Sequence, residues 1–253
     1  MTDHPAAMLH SGYAAFDGDS LASPAGLNSV TTDLHDAHAA FRAHVLEAPF
    51  PCVGAKSVFN RRRYRIGLYP ALASADAARA VCHDLYEFSH EFERPGDDAV
   101  SFIALFRGPQ PSDDRAYEAQ LWSQLQQMHG IDSKFFPWDP RVSADPDSTE
   151  FSFSIGQRAY FIVGLHPNAS RVARRAPQPA IVFNLHEQFE ALRASGKYES
   201  MKKVIRSRDL ALQGSVNPVL ENFGETSEAR QYSGRPVSDA WRCPFRHLHS
   251  SAT

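Results

Sequence analysis

The sequence predicts a single α+β domain with a mixed, mostly antiparallel sheet flanked by helices. About five short apolar runs have the length and residue types of strands, and about five longer segments repeat apolar residues at helical spacing. The helical segments cluster early and late in the chain, which favours an α+β arrangement. No internal repeat is visible, and neither GxGxxG nor GxxxxGK[ST] occurs, so a nucleotide-binding fold has no support.

The composition is that of an ordinary soluble globular protein. Of the 253 residues, 43% are hydrophobic and 22% charged, and the formal charge of −3 argues against nucleic-acid binding. No run reaches the roughly 18 apolar residues that a membrane span needs, and the N-terminus lacks the pattern of a secretory signal. Three scattered cysteines do not form a disulfide framework. We therefore expect a cytoplasmic protein that contacts neither membrane nor nucleic acid.

The first half of the chain contains three predicted helices and two predicted strands. Residues 1–28 lack periodicity and predict a disordered tail before a domain spanning 29–246. A helix is expected from Thr32 to before Pro49, with one apolar face, and a turn-rich segment over 50–60. The later elements are a strand within 61–70, a helix capped by Ser74, a buried strand over 100–106, and a helix marked by Tyr117, Leu121, Leu125 and Met128.

The second half predicts the rest of the sheet and two more helices. A proline- and aspartate-rich loop over 137–148 precedes two strands, 151–155 and 160–166, which we expect to pair around Gly156. Another strand follows at 181–184. Two helical stretches, 187–195 and 198–208, are separated by Gly196. From residue 213 the chain is irregular, and residues 247–253 predict a flexible tail that includes His247 and His249.

Two histidines follow predicted strand ends, where an imidazole can bind a metal or move a proton. His166 ends the strand in FIVGLH, and Arg171, Arg174 and Arg175 follow within nine residues. Haem iron is commonly held by a histidine, and arginine suits the carboxylates of haem propionates. The alternative is a surface imidazole beside arginines that are solvated or pair with the protein's own carboxylates.

His186 begins the sequence HEQFE, which resembles the zinc signature HExxH. Glu190 stands where that signature has its second histidine, so a zinc hydrolase using His186, Glu187 and Glu190 is the less favoured interpretation. His186 could instead orient the start of a helix, with Glu187 complementing the helix dipole. It could also face a cofactor from the distal side, with Asn184 beside it.

Two cysteines could in principle supply a thiolate ligand. Cys243 lies in WRCPF and Cys52 in FPCVG. A buried structural role is the favoured interpretation of both. CxxCH is absent from the sequence, so covalent attachment of haem is not expected.

Six segments together resemble the YqcI/YcgG family over about residues 48–245. They are FPCVGAKS (50–57), GLHPNASRVARR (164–175), VFNLHEQFEALRASGKYESMKKVIRSRD (182–209), GSVNPVLENFG (214–224), SEARQYSG (227–234) and WRCPF (241–245). Members with an assigned activity are haem-dependent N-hydroxylases, including the guanitoxin-biosynthesis enzyme that acts on a cyclic guanidine and the arginine hydroxylase of D-cycloserine biosynthesis. The resemblance implies a haem-dependent monooxygenase that N-hydroxylates a guanidine- or amine-containing small molecule.

The sequence leads to a specific hypothesis for the site. Haem b (iron) would lie against the turn after the 160–166 strand, with His166 as the proximal ligand; this choice comes from our interpretation of the sequence. The propionates would meet Arg171, Arg174 or Arg175. The distal side or the substrate would meet Asn184, His186 and Glu187, with His186 and Glu187 in the catalytic roles. A guanidinium would be accepted by Glu187, Glu190 or Glu150.

The hypothesis also names the co-reactants and the competing functions. The oxidant would be O2 or peroxide, and a separate reductase would supply electrons, because no flavin or nicotinamide motif is visible. A non-catalytic haem-binding or sensing protein is the first alternative, and the zinc hydrolase is the second.

Overall fold

One seven-stranded sheet organises the described part of the chain. The computed structural model describes residues 10–24, 30–95, 98–215 and 224–248. The strands are β1 (Ala14–Phe16), β2 (Leu21–Ala22), β3 (Tyr64–Tyr69), β4 (Ser101–Phe106), β5 (Phe153–Ile155), β6 (Arg158–Leu165) and β7 (Ala180–Leu185). Their order is β2-β1-β3-β4-β7-β6-β5, and β3–β4 is the one parallel pair among these strands. The predicted mixed, mostly antiparallel α+β fold is confirmed.

Seven α-helices accompany these strands in the described residues. They are α1 (Thr32–Leu46), α2 (Val53–Asn60), α3 (Ala75–Glu91), α4 (Asp114–Asp132), α5 (His186–Ala194), α6 (Lys197–Gln213) and α7 (Ala229–Tyr232). A 3₁₀ turn covers Val172–Arg174. No helix in the described ranges is long and apolar enough to cross a bilayer.

Three of the long helices, α1, α3 and α4, begin at side-chain caps and bury apolar faces. Thr31, Ser74 and Asp113 each accept a hydrogen bond from the amide three residues on, which satisfies a donor that the helix leaves unpaired. The apolar faces of α3 and α4 pack on one side of the sheet, against Phe102 and Phe183. α1 and α2 pack on the other side, against alternate residues of the same strands.

Residues 50–60 are not the turn-rich segment that their sequence predicts, because α2 occupies Val53–Asn60. Cys52 caps the helix, with its Sγ accepting from the Ala55 amide at 3.4 Å. Val58 and Phe59 are buried against the sheet. Tertiary packing of two residues is thus enough to hold a short helix whose apolar pattern is too brief to recognise.

The prediction of a disordered tail over residues 1–28 is wrong for residues 10–24. Those residues form β1 and β2, which extend the sheet beyond β3. The Ser11 hydroxyl and the Gly12 amide donate to the buried carboxylate of Asp84 at 2.6 and 2.9 Å, and Tyr13 is 7% exposed. Residues 1–9 and 25–28 of the predicted tail lie outside the described residues.

The C-terminal segment follows the edge of β6 and then returns to α4. β5 pairs only with residues 158–160 of β6. Beyond that point α7 covers the edge of β6, and the Tyr232 hydroxyl of α7 accepts a hydrogen bond from the Phe153 amide of β5 at 3.1 Å. At the end of the described chain the His247 ring stacks on His129, so the predicted flexible tail over 247–253 does not begin at His247. His249 lies outside the described residues.

Candidate functional site

The two predicted site histidines lie at opposite ends of neighbouring strands. β6 and β7 are antiparallel, with Tyr160 opposite Leu185 and Leu165 opposite Ala180. His186 therefore follows β7 at one end of the pair, and His166 follows β6 at the other. Five residues of strand separate these ends, which corresponds to roughly 17 Å. The structure thus separates His166, the predicted proximal ligand, from His186, which the sequence predicted near the distal side or the substrate.

His166 has the contacts of a core histidine. Its side chain is fully buried, its ring stacks on Tyr117 at 4.5 Å between centroids, and its Nε2 lies 3.0 Å from the Asp114 carboxylate. Burial lowers the pKa of His166, and the contact with Asp114 opposes that shift. Nδ1 has no hydrogen-bond partner among the described residues. Nε2 is engaged by Asp114, so an iron could reach this ring only through Nδ1, which lies in the fully buried core.

The three arginines after His166 bind groups of the protein itself. Arg171 forms a buried ion pair with Asp209 at 2.6 Å. Arg174 donates to the carbonyls of Gly164 and Gln231, both at 3.1 Å. Arg175 is exposed and donates to a neighbouring carbonyl. The alternative of pairing with the protein's own carboxylates therefore applies to Arg171.

His186 begins α5 and lies between two carboxyl groups. The side chain is 8% exposed, with Nε2 3.6 Å from Glu190 and Nδ1 3.8 Å from Glu228. Burial lowers the pKa of His186, while the charge of Glu190 opposes the shift. This imidazole lies closer to a surface than that of His166, and both its nitrogens face acidic partners.

Glu187 points away from His186, towards two arginines. Arg158 and Arg141 both donate to its carboxylate, and Arg141 also pairs with Asp139. The proposed zinc set of His186, Glu187 and Glu190 therefore does not converge on one point. Across the described ranges, no group of three or more His, Cys, Asp or Glu side chains is placed to hold a metal ion.

The three residues predicted to bind substrate, Asn184, Glu190 and Glu150, do not all lie together. Asn184 is fixed at the end of β7, where its Oδ1 accepts from the Ser101 hydroxyl at 2.7 Å and its Nδ2 donates to the Phe161 carbonyl at 3.3 Å. Glu190 is half exposed and pairs with Arg193. Glu150 is exposed in the loop before β5. Asn184, His186 and Glu190 thus gather near one end of β7.

Glu228 is a member of this cluster that the sequence did not identify. It is 3% exposed, and the Tyr232 hydroxyl donates to its Oε2 at 3.2 Å. Burial raises the pKa of Glu228 to about 8, so its carboxyl group is mostly protonated at neutral pH. Its segment, SEARQYSG, is conspicuously polar, but only the fold brings Glu228 beside His186.

One face of β6 and β7 is less well covered than the other. Phe161, Val163, Val182 and Asn184 are half-buried on this face, whereas the residues that alternate with them on the opposite face are buried. We call the half-buried face the β6–β7 face. α6 buries only Asp209 among its residues, so it is a loose neighbour of the sheet.

A thiol lies where α2 and α6 meet beside the β6–β7 face. Cys52 packs partly against the same core layer as Val163 and Val182. A Cβ built on Gly54 would lie 3.6 Å from the Met201 sulfur of α6 and 3.8 Å from Cys52 Sγ. Apolar walls and soft sulfur atoms are compatible with a haem iron site.

The two candidate thiols differ in their surroundings. Burial raises the pKa of Cys52, but the backbone amides at the start of α2 and the charge of Arg174 oppose that shift. Burial raises the pKa of Cys243 to about 12, and its largest opposing contact is a single backbone amide. Cys243 packs against the core on the other side of the sheet, which agrees with the structural role predicted for it.

Comparison with known proteins gives one match. Residues 41–246 match the model of the YqcI/YcgG family. No curated protein and no solved structure matches the chain.

Proposed function

Because this chain belongs to the YqcI/YcgG family, we propose that it is a haem-dependent monooxygenase that N-hydroxylates a small molecule carrying a guanidine or amine group. The reaction class comes from the resemblance to family members with that activity. The observation that carries the proposal in this chain is the half-buried β6–β7 face, together with Cys52, which packs against the same core layer as Val163 and Val182. Apolar side chains on the face of a sheet are normally covered completely by the elements that pack on that face. Their partial exposure here is therefore consistent with a bound planar group.

In this proposal, haem b would bind at the β6–β7 face, and Cys52 would hold its iron. Val163, Val182 and Met201 would provide apolar contacts for the porphyrin. Arg174 is close enough to Cys52 to favour its thiolate form. The bound haem would supply the oxygen chemistry, and a thiolate ligand favours O–O cleavage.

The assignment replaces the predicted ligand His166 for a physical reason. The side chain of His166 is fully buried, with its ring stacked on Tyr117, so a porphyrin could reach its remaining nitrogen, Nδ1, only by displacing core residues. The hydrogen bonds to Cys52 come from backbone amides at the start of α2, and a thiolate can keep such bonds while it coordinates iron. His186 is the next candidate because it follows Asn184 at the end of the same face.

The substrate would bind at the Asn184 end of the β6–β7 face. Glu190 is the best-placed acceptor for a guanidinium, because its present partner Arg193 is a guanidinium on an exposed helix surface that a substrate could displace. Glu187 is a poorer acceptor than the sequence predicted, since two arginines already occupy it. Dioxygen or peroxide would be the oxidant, with electrons from a separate reductase where dioxygen is used.

Haem content and spectrum of purified variants test the ligand. We expect Cys52→Ser to lose haem or shift the Soret band, while Cys243→Ser, the matched thiol control, keeps both unchanged. His166→Ala should keep the wild-type spectrum in whatever fraction folds. An unchanged spectrum in Cys52→Ser together with haem loss in His186→Ala would move the ligand to His186.

Turnover tests the reaction class. The haem-loaded protein would be incubated with arginine and simpler guanidines, a chemical or enzymatic reductant and ¹⁸O₂, and the products analysed by mass spectrometry. Incorporation of one ¹⁸O atom on nitrogen supports the proposal. Full haem loading without hydroxylation of any guanidine or amine would instead support a non-catalytic haem protein, and a preparation that refuses added hemin would overturn both.

A further inference from the structure

Two buried titratable groups face each other beside the β6–β7 face. His186 Nδ1 lies 3.8 Å from Glu228 Oε1, and the two side chains are 8% and 4% exposed. At this separation the two groups are not directly hydrogen-bonded, so a proton passes between them through a small side-chain movement or one water. Burial disfavours the charged form of each group, so the pair holds one proton more easily than it holds two charges. Such a pair can release and take up a proton without exposing either group to water.

We propose that Glu228 and His186 form a proton-holding pair that delivers protons to the oxygen chemistry at the β6–β7 face, with His186 passing the proton on and Glu228 replenishing it. This inference rests on the proposed function and adds a residue, Glu228, to its machinery. His186 touches the reaction side, and Glu228 acts through it as a positioning and proton-supplying residue.

Burial favours the protonated carboxyl group of Glu228. The hydrogen bonds with Ser152 and Tyr232 oppose this by favouring the ionised form, but no arginine or lysine donates to this carboxyl group in the described residues. Arg193 is near enough to favour the ionised form, and Glu190 opposes it. The charged groups around His186 are Glu190, Arg193, Arg141 and Asp139.

Aromatic packing connects the pair to the β6–β7 face. Phe161, a half-buried residue of that face, has its ring 5.2 Å from Phe189 on α5 and 6.0 Å from Tyr232 on α7. α5 carries His186 and α7 follows directly from Glu228. The pair therefore borders the face on the side where Asn184 and the proposed substrate end lie.

The overall reaction shows why protons are needed. One N–H bond of the substrate becomes N–O–H with one atom of O2, and the other oxygen atom leaves as water. The balance requires O2, two electrons from the external reductant and two protons. A general acid in the right place typically speeds such a step by about 10²–10⁴-fold.

Infrared difference spectroscopy tests the pair without any turnover. The wild-type protein titrated with base from neutral pH, where buried Asp132 with its pKa of about 6 is already ionised, should lose the C=O stretch of a protonated carboxyl group as the pH passes about 8. That band should be absent from Glu228→Gln, present in Glu118→Gln, and shifted in its pH dependence in His186→Gln. Glu118 is a suitable control because it is a buried carboxylate whose partner is Arg235. A band that persists in Glu228→Gln, or that ignores His186→Gln, overturns the pair.

The use of electrons during turnover tests the proton delivery. We expect Glu228→Gln to bind haem as the wild type does. The amount of product formed per electron consumed should fall roughly tenfold, and the pH–rate profile should lose its alkaline limb. Glu228→Asp should restore part of that efficiency. Unchanged coupling and pH profile would overturn the role in delivery. If the wild type hydroxylates nothing, the proposed function fails, whereas the infrared result still decides whether the pair exists.

Discussion

The protonation of Glu228 makes the stability of the protein depend on pH. Its folded-state pKa of about 8 lies above the reference value of 4.5, so the native state keeps a proton that the unfolded chain releases. Its contribution to stability is complete below the reference pKa and is lost as pH rises through about 8.

Glu228→Gln should therefore gain stability relative to wild type as pH rises. Glutamine mimics the neutral carboxyl group and does not titrate, so the variant's advantage in free energy of unfolding should grow by about 1–1.4 kcal/mol per pH unit between the two pKa values. Urea unfolding across a pH series measures this difference. A difference that stays constant with pH would show that Glu228 is ionised throughout.

Arg171 should matter far more to stability than Arg175, although the sequence places both in the same cluster. Arg171→Ala leaves the buried Asp209 without its guanidinium, which should cost about 3–5 kcal/mol. Arg175→Ala removes an exposed side chain and should change stability by no more than about 0.5 kcal/mol. Urea midpoints of the two variants provide the test, and equal losses would contradict the ion-pair role.

For single residues, the sequence predicts where a side chain lies along a strand or helix better than it predicts which side chains it contacts. His166 and His186 do follow strand ends, because apolar runs locate strands reliably. Asp114 and Glu228, their acidic partners, lie 52 and 42 residues away in the chain, and no periodic pattern links them to the histidines. The antiparallel pairing that separates the two imidazoles is likewise a property of the sheet.

Among the elements, the N-terminal strands have the clearest consequence for stability. Removing residues 1–24 should cost at least about 3 kcal/mol, because Tyr13 loses its burial and Asp84 loses two donors. Asp19→Ala, in the exposed turn between β1 and β2, serves as the control and should have little effect. Thermal or urea unfolding distinguishes the two, and equal stabilities would mean that β1 and β2 add nothing.

Long periodic elements could be predicted and short ones could not. α1 has the single apolar face that its sequence predicts, and its buried residues run from Leu34 to Val45. β1 and β2 have only 3 and 2 residues, so their pairing with β3 decides their structure. α2 is similar, since its Gly54 and the preceding proline suggest a turn.

For the whole molecule, the uneven packing predicts uneven dynamics. α6 buries only Asp209, whereas α4 buries residues along its length. Amide hydrogen exchange should therefore be faster in α6 than in α4, and haem loading should slow it by ordering α6 over the β6–β7 face. Exchange measured by mass spectrometry with and without hemin tests this. Equal protection of both helices, or no change with hemin, would contradict the loose packing or the haem location.

The position of β4 at the centre of the sheet affects how the chain can be made. β4 can pair with β3 as soon as both are synthesised, but its other edge stays unpaired until β7 is made. The hydrogen bond from Ser101 to Asn184 spans 83 residues. At roughly 5–20 residues per second on the ribosome, that edge stays open for about 4–16 s. The strand is SFIALF, and all six residues are buried in the folded protein. A nascent chain that stops before β7 therefore exposes an apolar strand edge that is prone to aggregation. Synthesis of this protein is therefore most vulnerable to aggregation during its middle third.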